Sequence, residues 1–220
     1  MDEWEGEALA LLRQGLYRFL SVSFRYPESG PLAAVADAAS RWDAHQLAPF
    51  AFHGRWLRFT DALQDPPEET DRRTEHVRLF SPKPGGALCP PHESAYLEVQ
   101  VQASSFILAL EREYRRLGLS VSSGYRDLPD HVTAETEAMA FLCGMEAEAW
   151  KGGLVEAAQA ILGNQRGFLH RHLGRWLPRF DERIRGYTEL PFYTVLADAA
   201  DAFVLHDQDL VQLLAREVAV

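Results

Sequence analysis

Leu128-Pro129-Asp130-His131-Val132-Thr133-Ala134-Glu135-Thr136-Glu137-Ala138-Met139-Ala140-Phe141-Leu142-Cys143 is the stretch that decides how this chain folds. Proline fixes the approach of the backbone, Asp130 is placed to cap exposed amides, and no helix breaker follows as far as Cys143. The helical repeat puts His131 and Glu135 on one face and Val132, Thr136, Met139 and Cys143 on another. The stretch therefore reads as a loop running into a helix with a polar and an apolar side. Taken alone it leaves three uses open: a catalytic centre, a metal site or a recognition surface.

The same periodicity extends outward in both directions. Leu9, Leu12, Leu16 and Phe19 recur at helical steps before Pro27 closes a first helix. Tyr96, Val99, Ala103, Phe106, Leu110, Tyr114 and Leu117 form a long apolar stripe that predicts one helix ending at Gly118 as its C-cap. Tyr193, Leu196, Ala200, Phe203, Leu210 and Leu214 predict a final helix, with Asp198, Asp201, Asp207 and Asp209 on its remaining surface. No alternating strand pattern is present, so the fold class is all-α. Tyr26 to Pro31, the proline- and glycine-rich Ser81 to Pro91, and Ser120 to Pro129 break the helices. The expected organisation is a single helical bundle domain over 1–220, with halves of about 1–119 and 132–220 joined by a hinge at about 120–131.

Composition narrows the function. A 220-residue chain that is 47% hydrophobic can bury a substantial core. A formal net charge of -10, with Lys83 and Lys151 its only lysines, disfavours nucleic acid and fits a cationic partner better. Cys89 and Cys143 stand far apart without CxxC spacing and read as reduced thiols. The acidic start Met1-Asp2-Glu3-Trp4-Glu5, followed by Arg13, Arg18 and Arg25, lacks the form of an export signal, and no apolar run is long enough for a membrane span. A cytoplasmic location is expected.

Asp130, His131 and Glu135 contain acid and base groups, but no nucleophile elbow accompanies them. His170 and His172 are two apart, on nearly opposite sides of a helix, and His131 and Glu135 have i,i+4 spacing without an HExxH pattern. Pro84-Gly85-Gly86 is neither a P-loop nor a dinucleotide fingerprint, and His206-Asp207 reads as a surface pair. Hence no catalytic residue, metal or cofactor is expected. The rival readings are a metal- or nucleotide-dependent enzyme centred on Asp130, His131 and Glu135, and a generic helical adaptor.

Three segments remain: His76-Val77-Arg78-Leu79-Phe80 preceded by Glu69, Pro90-Pro91-His92-Glu93-Ser94-Ala95-Tyr96, and Pro129-Asp130-His131 with Glu135, Glu137, Met139, Phe141 and Leu142 behind it. In this order the chain resembles the TorD/DmsD/NarJ-like redox-enzyme maturation chaperones over most of its length. His76 departs from that family's usual tyrosine; Gln165-Arg166-Gly167-Phe168 and His172-Leu173-Gly174-Arg175-Trp176 look like its later helix. The Leu-Pro-Asp-His form and the Arg-Leu-Phe ending look closer to chaperones of dimethyl-sulfoxide-reductase-family enzymes than to the nitrate reductase group. The resemblance implies a cytoplasmic, non-catalytic, all-helical chaperone. Its implied partners are the apo catalytic subunit of a molybdoenzyme, the twin-arginine leader of that subunit and the molybdenum cofactor insertion machinery, with proofreading before export. Leu79, Phe80, Pro90, Pro91, Ser94 and Tyr96 would line an apolar groove, while Glu93, Asp130, Glu135 and Glu137 would receive arginines and His131 would tune the site. Pro129, Asp130 and His131 would be the hinge of a monomer or of a hinge-swapped dimer.

Overall fold

The computed structural model describes residues 3–27, 47–97, 103–120 and 127–217. Its helices are α1 (Glu3–Ser23), α2 (His53–Gln64), α3 (Glu69–Phe80), a 3-10 turn at Glu93–Tyr96, α4 (Ala103–Arg116), α5 (Val132–Lys151), α6 (Val155–Arg171), α7 (Leu173–Tyr187) and α8 (Pro191–Glu217). The all-α class holds: among the described residues no strand occurs, only an isolated bridge between His92 and His131. No described helix is long and apolar enough to cross a membrane.

The helix begun at Val132 is the centre of the molecule. Ala138, Met139, Ala140, Leu142, Cys143, Ala147, Ala149 and Trp150 are all buried, so α5 is covered on several sides by α1, α6 and α7. Its alanines let neighbours come close. Gly6 of α1 lies against Trp150, where a Cβ would stand 2.9 Å from the indole. On the far side, α8 packs against α2, α6 and α7 around an aromatic cluster in which Phe203 meets Tyr17 at 4.8 Å and Trp56 at 5.8 Å between ring centroids. Because α1 packs on α5 and α2 on α8, helices from either side of the 120–131 segment interleave.

One polar network crosses this core. Arg13, 1% exposed, donates to Asp207 (2.5 Å), Glu146 (2.7 Å) and Gln165 (2.5 Å), binding α1 to α8, α5 and α6. The Tyr17 hydroxyl donates to Asp207 at 2.7 Å, and Gln165 and Trp150 donate to Glu146. A buried guanidinium is tolerable only when it and the facing carboxylates are paired, and here each nitrogen of Arg13 and each oxygen of Asp207 and Glu146 has a partner.

Three expectations are corrected by this packing. The aspartates of α8 do not line its surface: Asp207 is fully buried and Asp198 and Asp201 are each 8% exposed, leaving Asp209 outside. Asp198 is held by Arg58 and Arg185 at 2.7 Å each. His206, next to Asp207, lies against the stacked rings of Phe50 and Phe52. The stripe from Tyr96 to Leu117 is not one helix, because Leu97 is extended after the 3-10 turn and separates Tyr96 from α4. Gly118, at φ 81, is left-handed as its C-cap role requires. Residues 28–31 of the first loop, Val99 of the stripe and 121–126 of the third loop lie outside the described residues. Cys89 and Cys143 are free and buried.

Candidate functional site: a buried junction and an open groove

Pro91–Tyr96 and Leu128–Glu135 meet side by side. The Glu93 amide donates to the Asp130 carbonyl (2.9 Å) and the Val132 amide to that of Pro91 (2.9 Å), while the Tyr114 hydroxyl anchors the Pro129 carbonyl at 2.8 Å. The capping differs from the sequence expectation by one residue. His131 is extended and is itself the N-cap of α5, its Nδ1 accepting from the Thr133 amide at 3.1 Å. Asp130 instead turns to the other segment and accepts from the Ser94 amide at 3.0 Å. Burial works against its charge, yet His92 and the Ser94 amide hold Asp130 below the usual range. Burial also lowers His131, to about 4, so its ring is neutral.

Behind the junction runs a chain of acids. Glu93, 1% exposed, meets His172 Nδ1 at 2.8 Å, and the other ring nitrogen meets Glu113 at 3.2 Å. Burial opposes a charge on His172, but hydrogen bonds to Glu113 and Glu93 outweigh it and lift the imidazole to about 9. The His172 hydrogen bond, against burial and with help from Arg171, holds Glu113 at about 2. Glu135 is different. Burial first, then the Glu93 charge, push it far above the normal carboxylate range, so it stands as a neutral acid next to Glu93 while accepting from Trp176 Nε1 at 2.9 Å. Tyr96 stacks on Trp176, with centroids 5.4 Å apart.

The segments singled out in the sequence do converge, mostly inside the molecule. Leu79 is fully buried and Phe80 is 7% exposed, packed against His76, Phe180 and Tyr193; the Leu79 carbonyl accepts from the Cys89 amide at 2.8 Å. His76 fills its place as an aromatic ring, edge-on to Phe80 at 4.8 Å and to Tyr26 at 5.4 Å. Pro91 is buried and Pro90, Ser94 and Tyr96 are half-buried. Glu93, Asp130, His131 and Glu135 are all under 9% exposed, so the folded chain does not present them to an incoming arginine.

Glu137 alone faces outward. It accepts from Ser21 at 3.0 Å, pairs with Arg25, and borders a groove of about 830 Å³ between α1 and α5. Leu11, Phe141, Met145 and Leu154, each at least 39% exposed, line this groove, with Arg18, Arg25 and Glu148 beside them. The groove's signal in the sequence was faint. Glu137, Phe141, Met145 and Glu148 follow one helical face, and two large apolar residues there find no core partner.

The geometry has a match among known proteins. Residues 38–182 fit the family model described as the nitrate reductase delta subunit. This chain belongs to that family. Relatives within reach of the delta subunit family include the perchlorate reductase assembly chaperone of Dechloromonas aromatica, 28% identical over 93% of this chain and 91% of the relative. The selenate reductase assembly chaperone of Thauera selenatis is 30% identical over 63% of this chain and 72% of its own. A solved redox enzyme maturation protein from Archaeoglobus fulgidus shares the fold, with a TM-score of 0.56 and 18% identity over 87% of this chain and 93% of its own. The perchlorate and selenate reductase relatives are assembly chaperones, and this member of the delta subunit family is likewise a chaperone and not an enzyme.

Proposed function

We propose that the chain holds the apo catalytic subunit of a molybdenum-containing oxidoreductase of the dimethyl-sulfoxide-reductase family in the cytoplasm until cofactor insertion, and grips its twin-arginine leader along the α1–α5 groove. The observation that carries this reading is the composition of that groove: an exposed apolar floor of Leu11, Phe141, Met145 and Leu154 bordered by the carboxylates of Glu137 and Glu148. An apolar leader with two arginines complements both parts. Glu137 is already paired with Arg25, but the two side chains are 43% and 55% exposed, and such pairs are worth about 0–1 kcal/mol. An incoming guanidinium exchanges for Arg25 at little cost. In this reading Glu93, Asp130 and Glu135 serve from within by fixing the start of α5, the helix that carries Glu137 and Phe141. Local opening at Pro129 to His131 releases the client, as monomer or hinge-swapped dimer.

Titrating a twin-arginine leader peptide into the purified chain tests this. Phe141→Ser and Glu137→Gln are each expected to weaken binding by about tenfold, roughly 1.4 kcal/mol. A Lys-Lys leader is expected to bind less tightly than the Arg-Arg form, because lysine cannot make the bidentate contact. Equal affinity for the parent and both variants would place the leader elsewhere.

A further inference from the structure

We propose that His92, Asp127 and His131 form a site for a divalent metal ion of the zinc class, which ties the chain at 127 to the segment entering the 3-10 turn. One ligand atom from each of the three lies within 4.8 Å of the others. The Asp127 carboxylate spans the two rings: Oδ1 is 3.5 Å from His92 Nε2 and Oδ2 is 3.5 Å from His131 Nε2. Both distances exceed those of ordinary hydrogen bonds. Each is close to the roughly 3.4 Å separation of two ligands on a zinc ion bound at about 2.0–2.1 Å, with one carboxylate oxygen facing each ring. Two imidazoles and one carboxylate favour zinc over calcium or magnesium, which prefer all-oxygen sets.

The second ring nitrogens are also provided for. A histidine that binds metal through Nε2 carries its proton on Nδ1 and needs an acceptor there. His92 Nδ1 lies 3.3 Å from Oδ1 of the fully buried Asp130, and neither atom has another hydrogen-bond partner among the described residues. A metal on Nε2 fixes the neutral tautomer of His92 that carries its proton on Nδ1, facing Asp130 Oδ1. His131 Nδ1 lies 2.8 Å from the Thr133 hydroxyl, which accepts from it once the metal takes Nε2. The Thr133 amide gives up its contact with the ring in that exchange. The side chains of Asp127 and His92 are 48% and 24% exposed, so an ion enters from solvent and a water completes the fourth position.

No spacing motif announces this arrangement, because His92 and His131 lie in separate segments joined only by the bridge between them. The test uses the full chain without an affinity tag, stripped with chelator and titrated with Zn²⁺ by calorimetry and with Co²⁺ by visible absorption. One ion per chain is expected, with the intense ligand-field bands of tetrahedral Co²⁺. Asp127→Asn should weaken binding at least tenfold while its metal-free circular dichroism and melting stay those of the parent, and His92→Gln should weaken it at least tenfold with the metal-free helical circular dichroism retained. Absence of saturable binding, or variants that bind as the parent does, overturns the proposal.

Discussion

Glu135 looks in sequence like an exposed carboxylate one turn into a helix, ready for an arginine. In the fold it is a neutral acid, because burial and the nearby Glu93 charge make ionisation too costly. The difference has a measurable consequence. Glu135→Gln keeps a neutral side chain able to donate to Glu93 and accept from Trp176, and it is expected to change stability by less than about 1 kcal/mol. Glu135→Ala leaves the Trp176 indole N–H and a Glu93 oxygen without partners and opens a cavity, at an expected cost of about 2–4 kcal/mol. Urea unfolding of the pair decides the matter: equal losses would mean that Glu135 is ionised or unpaired. Residue identity announced a polar group at this position, but its protonation depends on Glu93, Trp176 and His172, which come from distant segments.

Helices are where the sequence spoke most clearly, and where its silence concerned contact. The periodic stripes of α1 and α8 and the run begun at Val132 all form as the spacing predicts, since a 3.6-residue repeat of apolar groups leaves few other ways to bury them. Which faces touch is not periodic information. Gly6 and Gly163 show this, both glycines inside helices. Gly163 has nothing within 4 Å of a would-be Cβ, so Gly163→Ala should raise stability by about 0.5–1 kcal/mol through helix propensity alone. Gly6→Ala should lose stability despite the same propensity gain, because its methyl would press on the rigid Trp150 ring at 2.9 Å. Thermal melting of the two variants should shift in opposite directions; a shared increase would show that α1 does not sit this close to α5. The broken stripe at Leu97 has a similar origin. The Glu93 amide and the Asp130 side chain are bonded across the junction, and those contacts hold Glu93–Tyr96 in a separate turn.

Across the whole molecule, buried histidines of opposite character set the response to pH. His76 is pushed down to about 4 by burial, from 6.5, so between these values the unfolded chain takes up the proton first. Its contribution is complete above 6.5 and is lost as pH falls toward 4. His172 is raised to about 9, since its bonds to Glu113 and Glu93 overcome the opposing effect of burial. Its contribution is complete below 6.5 and is lost as pH rises toward 9. Glu75 and Glu113, each held at about 2 against an ordinary 4.5, deepen the loss at acid pH below 4.5. His131, also lowered to about 4, acts as His76 does, while the neutral Glu135 loses stability as pH rises above 4.5 and so opposes the two histidines below pH 6.5 and adds to the fall above it. The urea midpoint should therefore fall most clearly above pH 6.5 and below pH 4.5; His172→Gln should reduce the alkaline slope, and His76→Phe should make the midpoint less sensitive to acid between 6.5 and 4. A midpoint in the parent chain that does not fall between pH 6.5 and 9 would contradict the charged His172 bridge.

The same distinction separates what each level of description decided. Apolar spacing, proline and glycine placement and the three motif segments by themselves determined an all-α chain, its principal helices and its kinship with redox-enzyme maturation chaperones, because these are properties of neighbours along the chain. Only the tertiary structure decided that Arg13 and Asp207 are core residues, that Glu93, Asp130 and Glu135 point inward, and that Glu137 and Phe141 border an open groove. It alone brought His92 to Asp127 and His131. The physical reason is that burial, and with it charge state and access, is fixed by what packs against a side chain, and those partners arrive from segments that no local pattern connects.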